Sequence, residues 1–144
     1  HQMISDELAF QLNVFVRQHK LGHVITAPID VVFEQSNAVQ PDLIFITVSK
    51  QSIIKEKAIE GAPELVVEIW SPGNSIKARE AKKKLYADSG VLEFWEIDPQ
   101  LKEVLIEVLN TEGKYEEYSK AKNQGSVKSK VLEGFEIRVE DLLG

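Results

Sequence analysis

One acidic residue, Glu68, lies inside the most apolar stretch of the sequence. The segment Leu65–Trp70 is otherwise hydrophobic and β-branched, and turn-forming residues flank it at Gly61–Pro63 and Ser71–Gly73. This pattern predicts a strand buried on both faces. A carboxylate there loses several kcal/mol of hydration free energy unless it is protonated, paired or bound to a cation. Glu68 is therefore a candidate functional residue; the alternative is that it lies at the solvated end of the strand and pairs with a lysine.

Asp42 is the second acid whose position favours chemistry. With Pro41 it opens an apolar segment, Leu43–Val48, that is predicted to be a strand. If this strand lies beside the Glu68 strand, at about 4.8 Å, both carboxylates reach one divalent cation. Two carboxylates, waters and a backbone carbonyl suit Mg²⁺, which prefers hard oxygen ligands. Such a cation would bind a phosphate oxygen and lower the pKa of a bound water.

Lys82 is the basic residue best placed to join this pair. A helix is predicted from Asn74 or Ser75 to Gly90, and its inward stripe has one lysine among otherwise uncharged residues: Ala78, Lys82, Leu85, Tyr86 and Ser89. A lysine on such a stripe either reaches solvent or meets a carboxylate. Two interpretations stay open. Lys82 forms a purely structural ion pair with Glu68, or it orients a nucleophilic water at a metal site.

The remaining pattern predicts one α/β (α+β) domain over residues 1–144. A first helix carries the apolar stripe Ile4, Leu8, Leu12 and Phe15, with Gly22 as its stop signal. Further strands are predicted at Val24–Ile29, Val31–Phe33, Val91–Ile97, Lys102–Leu109 and Lys114–Tyr118. A turn is predicted at Ser36–Asn37 and a loop or short helix over Gln51–Glu60. The C-terminal part is predicted to be mostly extended over Ser129–Val139, with a final helical turn over Glu140–Leu143. The helix between the Glu68 strand and Val91–Ile97 predicts a parallel βαβ unit, followed by a β-meander. Glu93 is expected to face solvent.

Composition excludes several classes of protein. The chain of 144 residues contains no cysteine, so disulfides and thiolate metal sites are excluded, and a reducing cytoplasm fits. No apolar run approaches about 18 residues, which argues against a transmembrane helix. A net charge of −6 argues against a broad basic surface for nucleic acid. Clustered metal-binding acids would contribute to the same negative charge.

These residues together resemble the Uma-two family of the PD-(D/E)XK restriction-endonuclease-like superfamily. The resemblance rests on motifs in the expected order, namely Pro41-Asp42, Gly61–Ile69, Ser71-Pro72, Lys82 with Tyr86, Gly90-Val91, Glu93–Trp95 and Asp98-Pro99. It implies a restriction-endonuclease-like mixed β-sheet flanked by helices and a Mg²⁺-dependent (or Mn²⁺-dependent) endonuclease acting on DNA. Asp42 and Glu68 would be the metal ligands, with the backbone carbonyl of Ile69 as a further ligand and Lys82 as the catalytic lysine.

The sequence departs from the superfamily pattern at two positions. The (D/E)-X-K triplet would place its lysine where this chain has Trp70, and Lys82 on the following helix takes that role in the family. Sequences of this type usually carry an acid four residues before that lysine, where this chain has Ala78. The family also usually has a further N-terminal portion, which the sequence starting at His1 lacks. By analogy with restriction-type nucleases, a homodimer is a further expectation.

The leading hypothesis is metal-dependent hydrolysis of DNA by Asp42, Glu68 and Lys82. Gln40 and Arg79 are candidate contacts with the substrate, and Arg79 or Lys82 would stabilise the negative charge of the phosphorane-like transition state. The first alternative is a catalytically inactive relative that binds nucleic acid or a protein through the same fold. The second is a structural Glu68–Lys82 ion pair in a domain without ligands.

Overall fold

The computed structural model of the protein describes residues 1–34 and 38–144, so the turn predicted at Ser36–Asn37 lies outside the described residues. Along the chain the elements are α1 (Gln2–His19), β1 (Gly22–Thr26), β2 (Val31–Val32), β3 (Leu43–Thr47), a 3₁₀ helix (Val48–Ile53), β4 (Ile59–Glu60), β5 (Leu65–Ile69), α2 (Ile76–Asp88), β6 (Glu93–Asp98), β7 (Glu103–Leu109), β8 (Tyr115–Lys122), β9 (Ser126–Lys128), β10 (Glu136–Arg138) and α3 (Val139–Leu143).

A six-stranded mixed sheet forms the centre of the fold. Its strand order is β1-β3-β5-β6-β7-β8. Strands β5 and β6 pair in parallel and are joined by α2, whereas the other four pairs in this sheet are antiparallel. The predicted βαβ unit, the mixed sheet flanked by helices and the C-terminal meander β6-β7-β8 are therefore confirmed.

Each face of the sheet carries its own apolar core. On one face α1 buries Leu8, Leu12 and Val16 in a cluster that includes Trp95. On the other face Tyr86 of α2 packs with a second cluster, made by Val31, Phe33, Ile44, Ile46, Ile59, Val66, Trp70, Val91 and Phe94. Every residue of β5 is buried, as expected for a strand covered on both sides. Each fully buried aliphatic or aromatic side chain contributes about 1.5–3 kcal/mol, so these two layers fix the sheet between the helices.

The first helix ends three residues before its predicted stop signal. Lys20 takes the left-handed conformation (φ 54°, ψ 46°) that closes α1. Gly22 instead opens β1, where a Cβ would lie 2.1 Å from the carbonyl oxygen of Ile46 on β3. The glycine is therefore required by the close approach of two strands rather than by the helix end.

The prediction of extended chain over Ser129–Val139 is wrong for most of that segment. Only β10 is a strand there, and it pairs with β9, which precedes the segment. Between them the backbone turns, with the N–H of Phe135 donating to the carbonyl of Leu132. A buried acid from the central sheet holds this turn.

That acid is Glu93, and the expectation that it faces solvent is wrong. Its side chain is fully buried. Oε1 accepts the backbone N–H groups of Lys130 at 2.8 Å and Val131 at 2.9 Å. Oε2 accepts the hydroxyl of Ser129 at 2.6 Å and the indole N–H of Trp95 at 2.8 Å. Four donors replace the lost water, because a buried carboxylate without such partners would be unfavourable.

No helix among the described residues is long and apolar enough to cross a membrane.

Candidate active site

Strand pairing brings Asp42 and Glu68 together. Leu43 of β3 is registered opposite Val67 of β5, and the N–H of Asp42 donates to the carbonyl of Val67 at 3.1 Å. The next pair along this antiparallel ladder is Asp42 and Glu68. Residues paired in this way project to the same face of the sheet, with Cβ atoms about 4.5–5.5 Å apart. The two acids are therefore adjacent, at the end of the apolar core beneath α2.

Glu68 lies in an apolar environment but has two polar partners. The hydroxyl of Tyr86 donates to Oε2 at 2.5 Å, and the ammonium of Lys82 lies 3.3 Å from Oε1 and 3.4 Å from Oε2. Burial raises the pKa of Glu68 above its ordinary value; the Tyr86 hydrogen bond and Lys82 offset part of this rise, and the charge of Asp42 adds to it. The carboxylate is thus placed where additional positive charge would stabilise its ionised form.

Asp42 is held from the opposite strand. Its Oδ2 accepts the backbone N–H of Ile69 at 2.6 Å, a short charge-assisted hydrogen bond. Over the part of the chain that the structure describes, no other hydrogen-bond donor reaches the carboxylate of Asp42. One oxygen is therefore oriented by the Ile69 backbone while the half-buried residue stays accessible from solvent.

Lys82 reaches the site from α2 as its helical phase predicted. Ser75 caps the helix by accepting the N–H of Ala78 at 3.1 Å, which fixes where the turns begin. The side chain of Lys82 is 38% exposed while that of Glu68 is 4% exposed, so the ammonium lies at the border between solvent and the buried acid. The ammonium of Lys82 can therefore move from Glu68 to another acceptor while it stays in contact with solvent.

Two further basic residues dock α2 onto acids of the sheet. Lys83 contacts Glu107 at 2.5 Å and Glu96 at 3.6 Å. Burial raises the pKa of Glu107 to about 8, and a hydrogen bond with Glu96 adds to the rise while Lys83 opposes it. The guanidinium of Arg79 pairs with Asp98 at 2.9 Å. Sequence reasoning placed neither Glu96 nor Glu107 under α2, because no local signal indicates which strand face the helix covers.

The two predicted substrate contacts have partners outside the acid pair. Arg79 binds Asp98 and also stacks over the ring of Trp70, with 5.3 Å from its guanidinium carbon to the ring centroid. Gln40 is exposed and donates to Asp30 at 2.8 Å. The structure thus brings together Asp42, Glu68 and Lys82, with Ile69 beside them, and leaves Gln40 and Arg79 engaged elsewhere.

The donor set at the site is small. No group of three or more histidine, cysteine or acidic side chains that could hold a metal ion occurs in residues 1–34 and 38–144. A cation here would have two carboxylates, and its other ligands would be backbone carbonyls and water. Mg²⁺ is the metal that ordinarily keeps several waters in this way.

Tyr86 is the partner of Glu68 that sequence reasoning did not assign a role. It lies four residues after Lys82 on the same helical stripe, so both side chains project toward the same part of the sheet. A tyrosine on a buried stripe indicates core packing, and its hydroxyl then requires a hydrogen-bond partner. The need of the Tyr86 hydroxyl for a buried partner, together with the buried carboxylate of Glu68, is the signal in the sequence that could have identified this hydrogen bond.

Comparisons with known proteins agree with this architecture. A crystal structure described as "a putative nuclease belonging to DUF820", from Anabaena variabilis, superimposes with a TM-score of 0.79 at 18% sequence identity, covering 99% of this chain and 79% of that chain. The curated proteins compared with the chain give no match. The sequence profile of the Uma2 (Uma-two) family, described as "Putative restriction endonuclease", matches residues 1–140. The chain therefore belongs to the Uma2 family.

Proposed function

We propose that the protein is a Mg²⁺-dependent (or Mn²⁺-dependent) endonuclease that hydrolyses phosphodiester bonds of DNA. The observation that carries the proposal is the convergence of Asp42, directly before β3, Glu68 of β5 and Lys82 of α2 at one end of the sheet. Family membership supplies the reaction class, and the side chains supply the chemistry. Hydrolysis of a phosphodiester requires positive charge near the phosphate and an oriented water, and this arrangement can provide both.

The donors present suit a hard divalent cation. Asp42 and Glu68 offer carboxylate oxygens from paired strands, and the backbone carbonyl of Ile69 is proposed as a further ligand. The ammonium of Lys82, 3.3 Å from Glu68, already occupies a cationic position beside the buried carboxylate. When bound, Mg²⁺ would bind a phosphate oxygen and lower the pKa of a coordinated water.

The side chains of this chain would perform the remaining tasks. Asp42 and Glu68 hold their positions through the strand ladder, which is stiffer than a loop. Lys82 leaves the carboxylate of Glu68 and donates a hydrogen bond to the attacking water or to a phosphate oxygen. Arg79 and Gln40 are proposed contacts with neighbouring phosphates, and Arg79 would exchange Asp98 for that contact.

Cleavage of supercoiled plasmid DNA by the purified protein tests the proposal. We expect cleavage that requires Mg²⁺ or Mn²⁺ and stops with a chelator. Glu68→Gln and Asp42→Asn should each abolish it, whereas Glu60→Gln, which alters an exposed strand acid away from the site, should leave it unchanged. Wild-type activity in Glu68→Ala would show that Glu68 is not the metal ligand.

A second candidate function rests on the small donor set. With two acids at the site and Ala78 in place of a third, the same fold could act as an inactive module that binds nucleic acid or a protein. Such a module should bind neither Mg²⁺ nor Mn²⁺ in calorimetric titrations. Asp42→Asn or Glu68→Gln should then raise its melting temperature, because either change relieves repulsion between adjacent carboxylates.

A further inference from the structure

The hydroxyl of Tyr86 makes the shortest contact with Glu68. It donates to Oε2 at 2.5 Å, whereas the ammonium of Lys82 is more than 3 Å from either oxygen. Tyr86 is fully buried and Lys82 is partly exposed. The tyrosine is therefore the fixed partner of the carboxylate, and the lysine is the exchangeable one.

The ring of Tyr86 is held by contacts with two aromatic rings. Phe33 meets it edge-on at 6.1 Å between ring centroids, and Phe94 of β6 lies at 5.4 Å with a tilt of 47°. A ring confined in this way directs its hydroxyl along one line, toward the end of β5. A confined side chain loses little additional entropy when it forms the hydrogen bond.

From these contacts we propose that Tyr86 is a positioning residue for the metal ligand Glu68. By occupying Oε2, its hydroxyl fixes the rotation of the carboxylate and leaves Oε1, the oxygen that Tyr86 does not contact, as the one that a divalent cation would bind. This inference rests on the proposed function, because it assigns a task within the same site. Groups that orient a metal ligand in this way typically contribute 10- to 100-fold to metal affinity.

A purely structural hydrogen bond would stabilise the fold without affecting metal binding. Tyr115 offers a matched control for this possibility. Its hydroxyl donates to the backbone carbonyl of Val91 at 2.7 Å, and its ring also contacts Phe94, with 5.6 Å between centroids. Tyr115→Phe thus removes a comparable hydroxyl from the same aromatic cluster but leaves Glu68 untouched.

Calorimetric titration of Mn²⁺ into the wild type, Tyr86→Phe and Tyr115→Phe tests the proposal. We expect Tyr86→Phe to bind Mn²⁺ 10- to 100-fold more weakly than the wild type and Tyr115→Phe to bind it equally well. Equal affinity in all three proteins, or an equal loss in both variants, overturns the assignment of Tyr86. If the wild type binds no Mn²⁺ at all, the proposed function fails first, and the inference fails with it.

A second measurement does not depend on the folding of Tyr86→Phe. The chain has three tyrosines, so Tyr115→Phe/Tyr118→Phe leaves Tyr86 as the only phenol. Addition of Mn²⁺ to this variant should shift the infrared C–O stretching band of Tyr86, because the acceptor of its hydrogen bond becomes a metal ligand. If Mn²⁺ binds and the band does not move, Tyr86 is not coupled to the metal ligand.

Discussion

Glu68 combines deep burial with two partners of different kinds. Tyr86 supplies a neutral hydrogen bond from inside the core, and Lys82 supplies charge from the surface. Neither partner restores the hydration that the carboxylate loses, and burial therefore keeps its pKa above the ordinary value. The free energy of the ionised form thus depends on whatever cation is nearby, which is the property that a metal ligand requires.

Lys82→Met should expose this dependence. The variant removes the cation that favours the ionised form of Glu68, so we expect the free energy of unfolding at pH 7 to fall by about 1–2 kcal/mol, less than for a fully buried pair because Lys82 is partly exposed. The difference in the free energy of unfolding between Lys82→Met and the wild type should become smaller as pH falls, because protonation neutralises Glu68. Urea denaturation at several pH values measures it.

Lys84→Met provides the control for that prediction. Lys84 pairs with Asp88 one turn along the exposed side of the same helix, at 2.9 Å. Such surface pairs contribute about 0.5 kcal/mol or less. An equal loss of stability in the two variants would mean that the Glu68–Lys82 pair has no special energetic role.

At the scale of elements, α2 is attached to the sheet largely through charged side chains. Only Tyr86 of this helix is buried, while Arg79, Lys82 and Lys83 meet acids of β5, β6 and β7. An ionic interface of this kind changes with pH, unlike the apolar interface of α1. The position of Lys82 over the site therefore depends on the protonation of the acids beneath its helix.

Glu107→Gln should change the pH dependence of stability. The pKa of Glu107 is about 8 in the folded protein and near 4.5 in the unfolded chain. The folded protein therefore holds this proton more tightly, and the resulting contribution to the free energy of unfolding is fully present below pH 4.5 and is lost as pH rises through 8. The free energy of unfolding of the variant relative to the wild type should thus increase as the pH rises from about 4.5 to about 8. Urea melts of both proteins across that range provide the comparison.

Glu103→Gln serves as the matched change on the same strand. Glu103 lies 3.8 Å from Lys120 in a more exposed pair. It should show no such trend between pH 5 and 9. If the stability of Glu107→Gln relative to the wild type also stays constant with pH, Glu107 titrates normally.

The turn after β9 depends on a single carboxylate. Glu93→Ala would leave four donors without an acceptor, three of them from the turn itself, namely Ser129, Lys130 and Val131. We expect a loss of about 3–5 kcal/mol in the free energy of unfolding, since each buried unpaired group costs about 1–3 kcal/mol. Chemical denaturation measures it, and Glu136→Ala, at an exposed position on β10, should change stability by less than about 0.5 kcal/mol. A small effect of Glu93→Ala would mean that water replaces the carboxylate.

At the scale of the whole molecule, the features that follow from local pattern were predictable. Continuous apolar runs identified β3 and β5, a period-3.6 pattern identified α2, and helical phase directed Lys82 toward the sheet. The role of Glu93 was not predictable, because its partners lie in a turn more than thirty residues away in sequence. The same limit applies to Glu96 and Glu107, whose contacts with Lys83 depend on which face of the sheet α2 covers.

Cation binding should stabilise the whole fold if the site is as proposed. A ligand at one hundred times its Kd adds about 2.7 kcal/mol to the free energy of unfolding, which corresponds to a rise of roughly 5–10 °C in Tm for a chain of this size. We expect this rise on adding MnCl₂ to the wild type at constant ionic strength. Glu68→Gln should show no rise, because it lacks one of the two carboxylates proposed to hold the cation. An equal rise in both proteins would mean that the ion binds elsewhere on a surface with a net charge of −6.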